Sequence, residues 1–305
     1  MAEWKLATPV AFLIFNRPGT TARVLTEIAK FKPAKLLVVA DGPRSDHLED
    51  PEKCQSTRAI IERLVDWDCE VLTNYSDINL GCKKRVSSGL DWVFANVEEA
   101  IILEDDCLPH PTFFRFCQEM LERYRDDTRI MQICGFNALY EKQSLPYSYY
   151  FSKFGPIWGW ASWRRAWQYY DVDMKLWPLV KKEKAYCYFC DGRREISWRL
   201  DIFEKVYRGE IDTWDYQWAF AKHMHSGLSL IPHGNLIVNI GFGADSTHTA
   251  NPDNPLASVK YAAMELPLKH PPYICRNKPL DRQYLQHLVF AQTGFLKRFK
   301  RFIKY

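Results

Sequence analysis

The first hundred residues alternate between two kinds of hydrophobic pattern. Residues 9–15 (PVAFLIF), 35–41 (KLLVVAD), 70–75 (EVLTNY) and 100–106 (AIILEDD) are short, nearly continuous apolar runs rich in β-branched side chains. Such runs predict strands buried on both faces. Between them apolar positions recur at helical spacing: Val24, Leu25, Ile28 and Phe31, then Ile60, Ile61, Leu64 and Val65, then Val86, Leu90, Val93, Phe94 and Val97. Repeated β-α-β order predicts an α/β fold, a mostly parallel Rossmann-like sheet flanked by helices. Further on, Phe113, Phe116, Met120 and Tyr124 mark one face of a helix opening near Pro111, and residues 130–136 form another apolar run. Residues 147–177 are dense in aromatics and glycine, residues 178–210 are charged and read as surface helix, and no linker or internal repeat stands out.

In a parallel sheet, ligands bind beyond the carboxyl ends of the strands, so the residues following each run carry the chemical information. They are polar: Asn16-Arg17-Pro18, Asp41-Gly42-Pro43-Arg44, Ser76-Asp77 followed by Cys82-Lys83-Lys84-Arg85, and Glu104-Asp105-Asp106. Neither GxGxxG nor GxxxxGK[ST] occurs, which disfavours a dehydrogenase-type dinucleotide site and a P-loop. Three successive carboxylates concentrate negative charge, which a hard divalent cation, Mn²⁺ or Mg²⁺, bridging to nucleotide phosphates would neutralise. An acidic turn capping the next helix is the plainer account of the same triplet. Asp41 offers an acceptor to a nucleobase N–H and Arg17 a planar cation for the base, although Asp41-Gly-Pro-Arg44 reads equally as a tight turn. Lys83, Lys84 and Arg85 would neutralise a diphosphate or else form a solvated helix face.

Composition narrows the class. The 305 residues are 47% hydrophobic and 26% charged, which excludes a disordered or fibrous chain. A net charge of +4 is too slight to expect nucleic acid as a partner. The apolar runs are far shorter than the roughly 18–20 residues of a membrane span, and no basic-plus-apolar signal segment opens the chain, so a cytoplasmic location is expected. Nine scattered cysteines suit reduced thiols, and the CxxC pair Cys187 and Cys190 has no second pair at zinc-finger spacing. The 11 Trp, 16 Tyr and 18 Phe supply flat faces for a large core or for the C–H faces of sugars. At the C-terminus, Phe295, Phe299 and Phe302 share a helical face among basic residues. That pattern fits weak association with an anionic membrane surface, at the inner face of the membrane, or a helix packed on the body with its basic side in water.

In order, PVAFLIFNRP at 9–18, VVADGP at 38–43, EDDCLPHPTFF at 104–114, GPIWGW at 155–160, Trp214-Asp215 and the segment 241–248 resemble the N-acetylglucosaminyltransferases that initiate complex N-glycans and extend O-mannose glycans. The resemblance covers roughly residues 8–250 and is strongest where the apolar strand runs into Glu-Asp-Asp, a proline and Phe-Phe. It implies a GT-A fold with a donor-binding half (1–136), an acceptor-side half carrying base and lid (137–290), and the basic tail (291–305). The implied activity is metal-dependent, inverting transfer of a sugar, GlcNAc by first choice, from a UDP-sugar to a glycan or glycolipid hydroxyl. A bacterial-type enzyme of cell-surface polysaccharide synthesis would fit a reduced chain.

Carried over residue by residue, the resemblance places Arg17 and Asp41 on uracil, with Asn16 beside them, and Arg85 near the ribose or diphosphate. Glu104 and Asp105 would touch the ribose and donor sugar, and Asp106 would be the direct protein ligand of Mn²⁺. Trp214 would pack on the donor sugar together with Trp158 and Gly159, and Asp215 would be the general base, with Asp212 the other candidate. Apart from the resemblance, the loop 239–249 has the composition of a lid over the donor, with Gly241 and Gly243 as hinges and Ser246 or Thr247 expected to bond to the diphosphate; His248 departs from the resembled family, which relies on one aspartate and waters, and is a candidate second metal ligand or else a capping or core residue. The chemistry agrees with this division: inversion needs one carboxylate on the acceptor side, while a leaving diphosphate needs only charge stabilisation. Two other classes use similar residues. A nucleotidyltransferase also carries strand-end aspartates, though Asn16-Arg-Pro-Gly19 is a poor phosphate loop, and a silent sugar-nucleotide or glycan-binding module would need only the aromatic faces.

Overall fold

The computed structural model describes residues 4–242 and 259–286. The expected β-α-β alternation is present: β1 (Val10–Ile14), α1 (Pro18–Ala29), β2 (Lys35–Ala40), α2 (Asp50–Leu64), β3 (Glu70–Tyr75), α3 (Gly81–Asn96) and β4 (Glu99–Glu104). The four strands are mutually parallel in the order β3-β2-β1-β4. Successive strand residues point to opposite faces, and here both faces are covered. Val10, Phe12, Leu36, Val38 and Ile101 enter one core with Val24 and Leu25 of α1 and Ile60 and Ile61 of α2. Ala11, Leu13, Leu37, Val39 and Ile102 enter a second with Leu90, Val93 and Phe94 of α3. Each fully buried aliphatic contributes about 1.5–3 kcal/mol, which holds the strand ends in fixed register.

One expectation needs correction. β3 is not buried on both faces: it is the edge of the sheet and is exposed or half-buried along its length. Its Glu, Thr and Asn suit a strand with a neighbour on one side only.

The second half of the chain continues the same sheet. After β5 (Cys107–Pro109), α4 (Thr112–Arg123) and β6 (Ile130–Cys134) come β7 (Tyr149–Ser152) and β8 (Trp160–Trp163), both drawn from the aromatic stretch. β8 inserts antiparallel between β4 and β6, and β9 (Leu228–Pro232) runs parallel to β6, giving an eight-stranded Rossmann-like sheet ordered β3-β2-β1-β4-β8-β6-β9-β7. β10 (Ile237–Asn239) pairs antiparallel with β5 as a separate ribbon just past the end of β4.

The charged stretch 178–210 is more than surface helix. With α5 (Arg164–Trp167) preceding them, α6 (Trp177–Lys182), α7 (Arg193–Tyr207) and α8 (Asp215–Met224) enclose their own core of Met174, Trp177, Val180, Phe203, Val206 and Phe220. A short α9 (Lys278–Tyr284) packs against β7. All nine cysteines are free thiols, and no helix among the described residues is long and apolar enough to cross a membrane. The basic tail, Gly243, Ser246, Thr247 and His248 lie outside the described residues.

Candidate active site

The parallel strands end at one level, and the polar residues that follow them border a cavity of about 540 Å³, within the usual range of ligand sites. Its strand-end wall is Phe15, Arg17, Asp41, Glu104, Asp105 and Asp106, and its opposite wall includes Trp158, Asp212, Thr213, Trp214 and Asp215.

The acidic triplet is arranged around a single guanidinium. Arg17 Nη1 donates to Asp106 Oδ2 at 2.8 Å and to Asp105 Oδ1 at 3.3 Å, while the Phe15 N–H donates to Asp105 Oδ2 at 3.1 Å. Burial, reinforced by the charges of Asp106 and Asp105, pushes Glu104 up from an ordinary 4.5 to about 8. Burial likewise raises Asp105 to about 7, against the opposing pull of Arg17. For Arg17, burial alone would weaken its hold on the proton, but Asp105 and Asp106 outweigh it and hold the guanidinium above the usual arginine value. Glu104 Oε1 is buried without a hydrogen-bond partner among the described residues. Gly241 comes so close that a Cβ there would lie 2.4 Å from Asp106 Oδ2, and the Ile240 N–H donates to the Asp106 carbonyl at 2.8 Å.

These residues fit a hard divalent cation. The donor set is all oxygen, it carries more negative than positive charge, and it includes an orphaned carboxylate oxygen. Among the described residues no three His, Cys, Asp or Glu side chains are already gathered at metal-holding geometry. These residues would supply at most part of a coordination shell, with phosphate and water oxygens supplying the rest.

On the β2 side, Asp41 is heavily used internally. Oδ1 accepts from the Gly42 and Leu80 N–H groups, each at 2.9 Å, and Oδ2 from the Gly81 N–H and Asn79 Nδ2, each at 3.1 Å. Four donors occupy the four lone-pair positions of a carboxylate, so Asp41 shapes the 79–81 loop that borders the cavity. Gly81 sits at φ +78°, a conformation open to glycine, with Asp212 Oδ2 3.1 Å from where a Cβ would be. Buried Arg85 donates to the carbonyl and the side-chain oxygen of Asn74 at 2.5 and 2.6 Å. Asn16 is not part of the cavity wall: its Nδ2 donates to Asp50 Oδ1 at 2.8 Å. Asp50 also pairs with Arg44, whose guanidinium lies 5.5 Å from the Phe15 ring centroid at the cavity edge.

On the opposite wall, Trp214 is 2% exposed and stacks on Trp160 with ring centroids 5.6 Å apart. It precedes α8, so Asp215 is the first residue of that helix, where a carboxylate is favoured by the helix dipole, and Thr213 Oγ1 donates to Asp215 Oδ1. Trp158 packs edge-on against Phe136 and Phe242. Gly159, at φ +55°, does not line the cavity; a Cβ there would strike Ile237 at 2.4 Å, so its role is to let β8 enter the sheet. Arg44, Asn79, Cys82, Thr213 and Asn239 also border the cavity. Of these, Arg44 had a signal in the sequence as the end of the Asp-Gly-Pro-Arg turn, Cys82 as the start of the run after the third strand and Asn239 as the start of the glycine-rich loop, whereas Asn79 and Thr213 had none.

Behind Asp215 a second cavity of about 250 Å³ opens, and Asp215, Ile157 and Trp158 border both.

No family model matches the chain, and no curated protein matches it. Among solved structures, a mannosyltransferase from Pyrobaculum calidifontis in complex with GDP-Man and Mn²⁺ is similar over 52% of this chain at 13% identity, with a TM-score of 0.36. This chain spans 45% of that protein's length. A UDP-glucose pyrophosphorylase complexed with UDP-glucose is similar over 74% of this chain and 90% of its own, at 12% identity and a TM-score of 0.36. A 4-diphosphocytidyl-2C-methyl-D-erythritol synthase from Anaerococcus prevotii is similar over 58% of this chain and 77% of its own, at 11% identity and a TM-score of 0.32.

Proposed function

We propose that the protein is a metal-dependent inverting glycosyltransferase that moves a sugar, GlcNAc by first choice, from a UDP-sugar to a hydroxyl of a glycan or glycolipid. The observation that carries this is the position of Asp215, on the border between a cleft lined by strand-end carboxylates and a second cavity. A base there stands between donor and acceptor, as inversion requires.

In this reading Asp106, with Asp105 beside it, would hold a Mn²⁺ or Mg²⁺ ion whose charge stabilises the departing diphosphate. Arg17 orients those carboxylates and lies within reach of a phosphate, and Arg85 adds positive charge on the β3 side. Phe15, Arg44 and the loop that Asp41 holds form the end of the cleft suited to a base, and Trp158 offers a face suited to the donor sugar, while Trp214, buried and stacked on Trp160, backs the cavity wall and does not present a ring face. Asp215 takes the proton from the acceptor hydroxyl as that oxygen attacks the anomeric carbon. The bond from that carbon to the diphosphate oxygen breaks with its electron pair, releasing UDP.

Calorimetry and thermal shift with UDP, GDP, CMP and UDP-sugars, each with and without Mn²⁺, test the reading. Stabilisation by UDP that requires Mn²⁺, together with UDP release from UDP-GlcNAc, is expected. Pyrophosphate release from UTP and a sugar 1-phosphate would instead make it a nucleotidyltransferase, and silence toward every nucleotide would remove the donor site altogether.

A further inference from the structure

The second cavity has a wall of rings, among them Phe154, Trp158, Trp198, Tyr216 and Tyr284, and two cations, Lys153 and Arg199. The cations are in opposite states. Lys153 Nζ is fully engaged, donating to Glu195 at 2.7 Å, to the Phe189 carbonyl at 2.9 Å and to Asp191 at 3.1 Å. Arg199, on α7, is only 2% exposed, and no hydrogen bond or ion pair from the described residues reaches its guanidinium. It is held by ring faces instead, 4.3 Å from the Trp198 centroid, 5.2 Å from Phe203 and 5.4 Å from Phe154. The carboxylate acting on it most strongly, Glu195, is already bonded to Lys153 and to the Asp191 N–H.

Buried charges in folded proteins are paired or hydrogen-bonded, so a buried guanidinium on a cavity wall with no partner among the described residues is poised for charge that arrives with a ligand. A guanidinium fork matches a carboxylate or a phosphate, both of which it binds through paired N–H groups. The surrounding ring faces suit the C–H face of a pyranose, and about 250 Å³ accommodates a sugar ring rather than a nucleotide.

We propose that this cavity is the acceptor subsite and that it takes an anionic saccharide, whose carboxylate or phosphate ester pairs with Arg199 while its ring lies on the aromatic wall. The inference rests on the neighbouring cleft being the sugar-nucleotide site and on Asp215 acting between the two.

Ligand-observed NMR with methyl β-glucoside, methyl β-glucuronide and methyl β-glucoside 6-phosphate, which differ only at C6, tests it on the full chain, with UDP–Mn²⁺ calorimetry run in parallel. At least one charged glycoside should bind tenfold or more tighter than the neutral one, and the stronger of the two identifies the anion as carboxylate or phosphate. Arg199→Met should abolish that preference and Arg199→Lys keep part of it, with UDP–Mn²⁺ affinity unchanged in both; a purely structural role for Arg199 would not alter the charged-to-neutral ratio. Equal binding of the three glycosides, or a preference that survives Arg199→Met, overturns the proposal. So does inorganic phosphate binding as tightly as the phosphorylated glycoside. Should Arg199→Met fail to fold, Trp198→Ala decides the matter: it should weaken all three glycosides alike, and unchanged binding overturns the ring-face half of the proposal. Loss of UDP binding with the charged preference intact would defeat the donor reading, and with it the acceptor role, while the anionic-saccharide site would stand.

Discussion

At the carboxyl ends of β1 and β4, three carboxylates face Arg17; on α7, behind Asp215, one guanidinium faces aromatic rings. The first wall carries surplus negative charge and relieves part of it by holding protons, as the raised pKa values of Glu104 and Asp105 record. The second wall carries a cation that lies against ring faces and has no hydrogen bond or ion pair among the described residues, the charge of Glu195 acting on it without a direct bond. Each is unfinished electrostatically, and in the opposite sense. An unbalanced buried charge lowers stability, so its presence on a cavity wall points to a partner of the other sign: in the proposed reading, the divalent cation that accompanies a diphosphate on one side and an acidic sugar on the other.

The comparison can be broken at its border first. Asp215→Asn removes the proposed base, and one negative charge from the border of the two cavities, while leaving the acidic triplet and Arg199 in place, so turnover of UDP-GlcNAc with acceptor should fall about a thousandfold. UDP–Mn²⁺ affinity should stay within about twofold, and retained turnover would move the base to Asp212. On the acidic wall, Asp106→Ala should cost about a hundredfold in Mn²⁺-dependent UDP affinity, near 2.7 kcal/mol, by calorimetry. Gly241→Ala is a milder probe of the same atom: its Cβ would crowd Asp106 Oδ2, and a loss of about tenfold is expected with folding largely intact.

The smallest effect is on stability and follows from proton uptake. Glu104 and Asp105 hold protons in the folded protein up to about 8 and 7 but release them near 4 when unfolded. The native state therefore binds more protons than the unfolded one between those limits. Metal-free stability should fall as pH rises from about 4 to about 8 and level off above. Glu104→Gln should melt close to the parent at pH 5 and a few degrees higher at pH 8. A parent melting temperature that does not fall across that window would show that the acidic wall is already balanced.

The acidic wall was legible in the sequence because each of its residues follows an apolar run, and a parallel sheet brings such positions to one level. What the sequence left open was how Asp41 and Asn16 are spent. Their partners, the loop at residues 79–81 and Asp50 at the start of α2, depend on where chain segments dock, which no local pattern records. The second wall was hidden for a different reason. On α7 the buried positions are Glu195, Arg199, Phe203 and Val206, which follow helical spacing only when charged residues are counted as interior. A reading that assigns charge to the surface loses that stripe and Arg199 with it. Likewise β7 and β8 come from a stretch of mixed aromatics and glycine without clear alternation, although both lie in the sheet.

The backbone that presses on Asp106 is supplied by β10 and the residues after it, from near the far end of the described chain. During synthesis the three carboxylates emerge long before the segment that encloses them, a delay on the order of ten seconds at ordinary ribosome speeds. Through that interval the growing polypeptide exposes an acid-lined notch without its cover, and any fragment ending before residue 239 would keep it that way. If the cleft is the donor site, a complete wall around Asp106 would await the ribbon of β5 and β10.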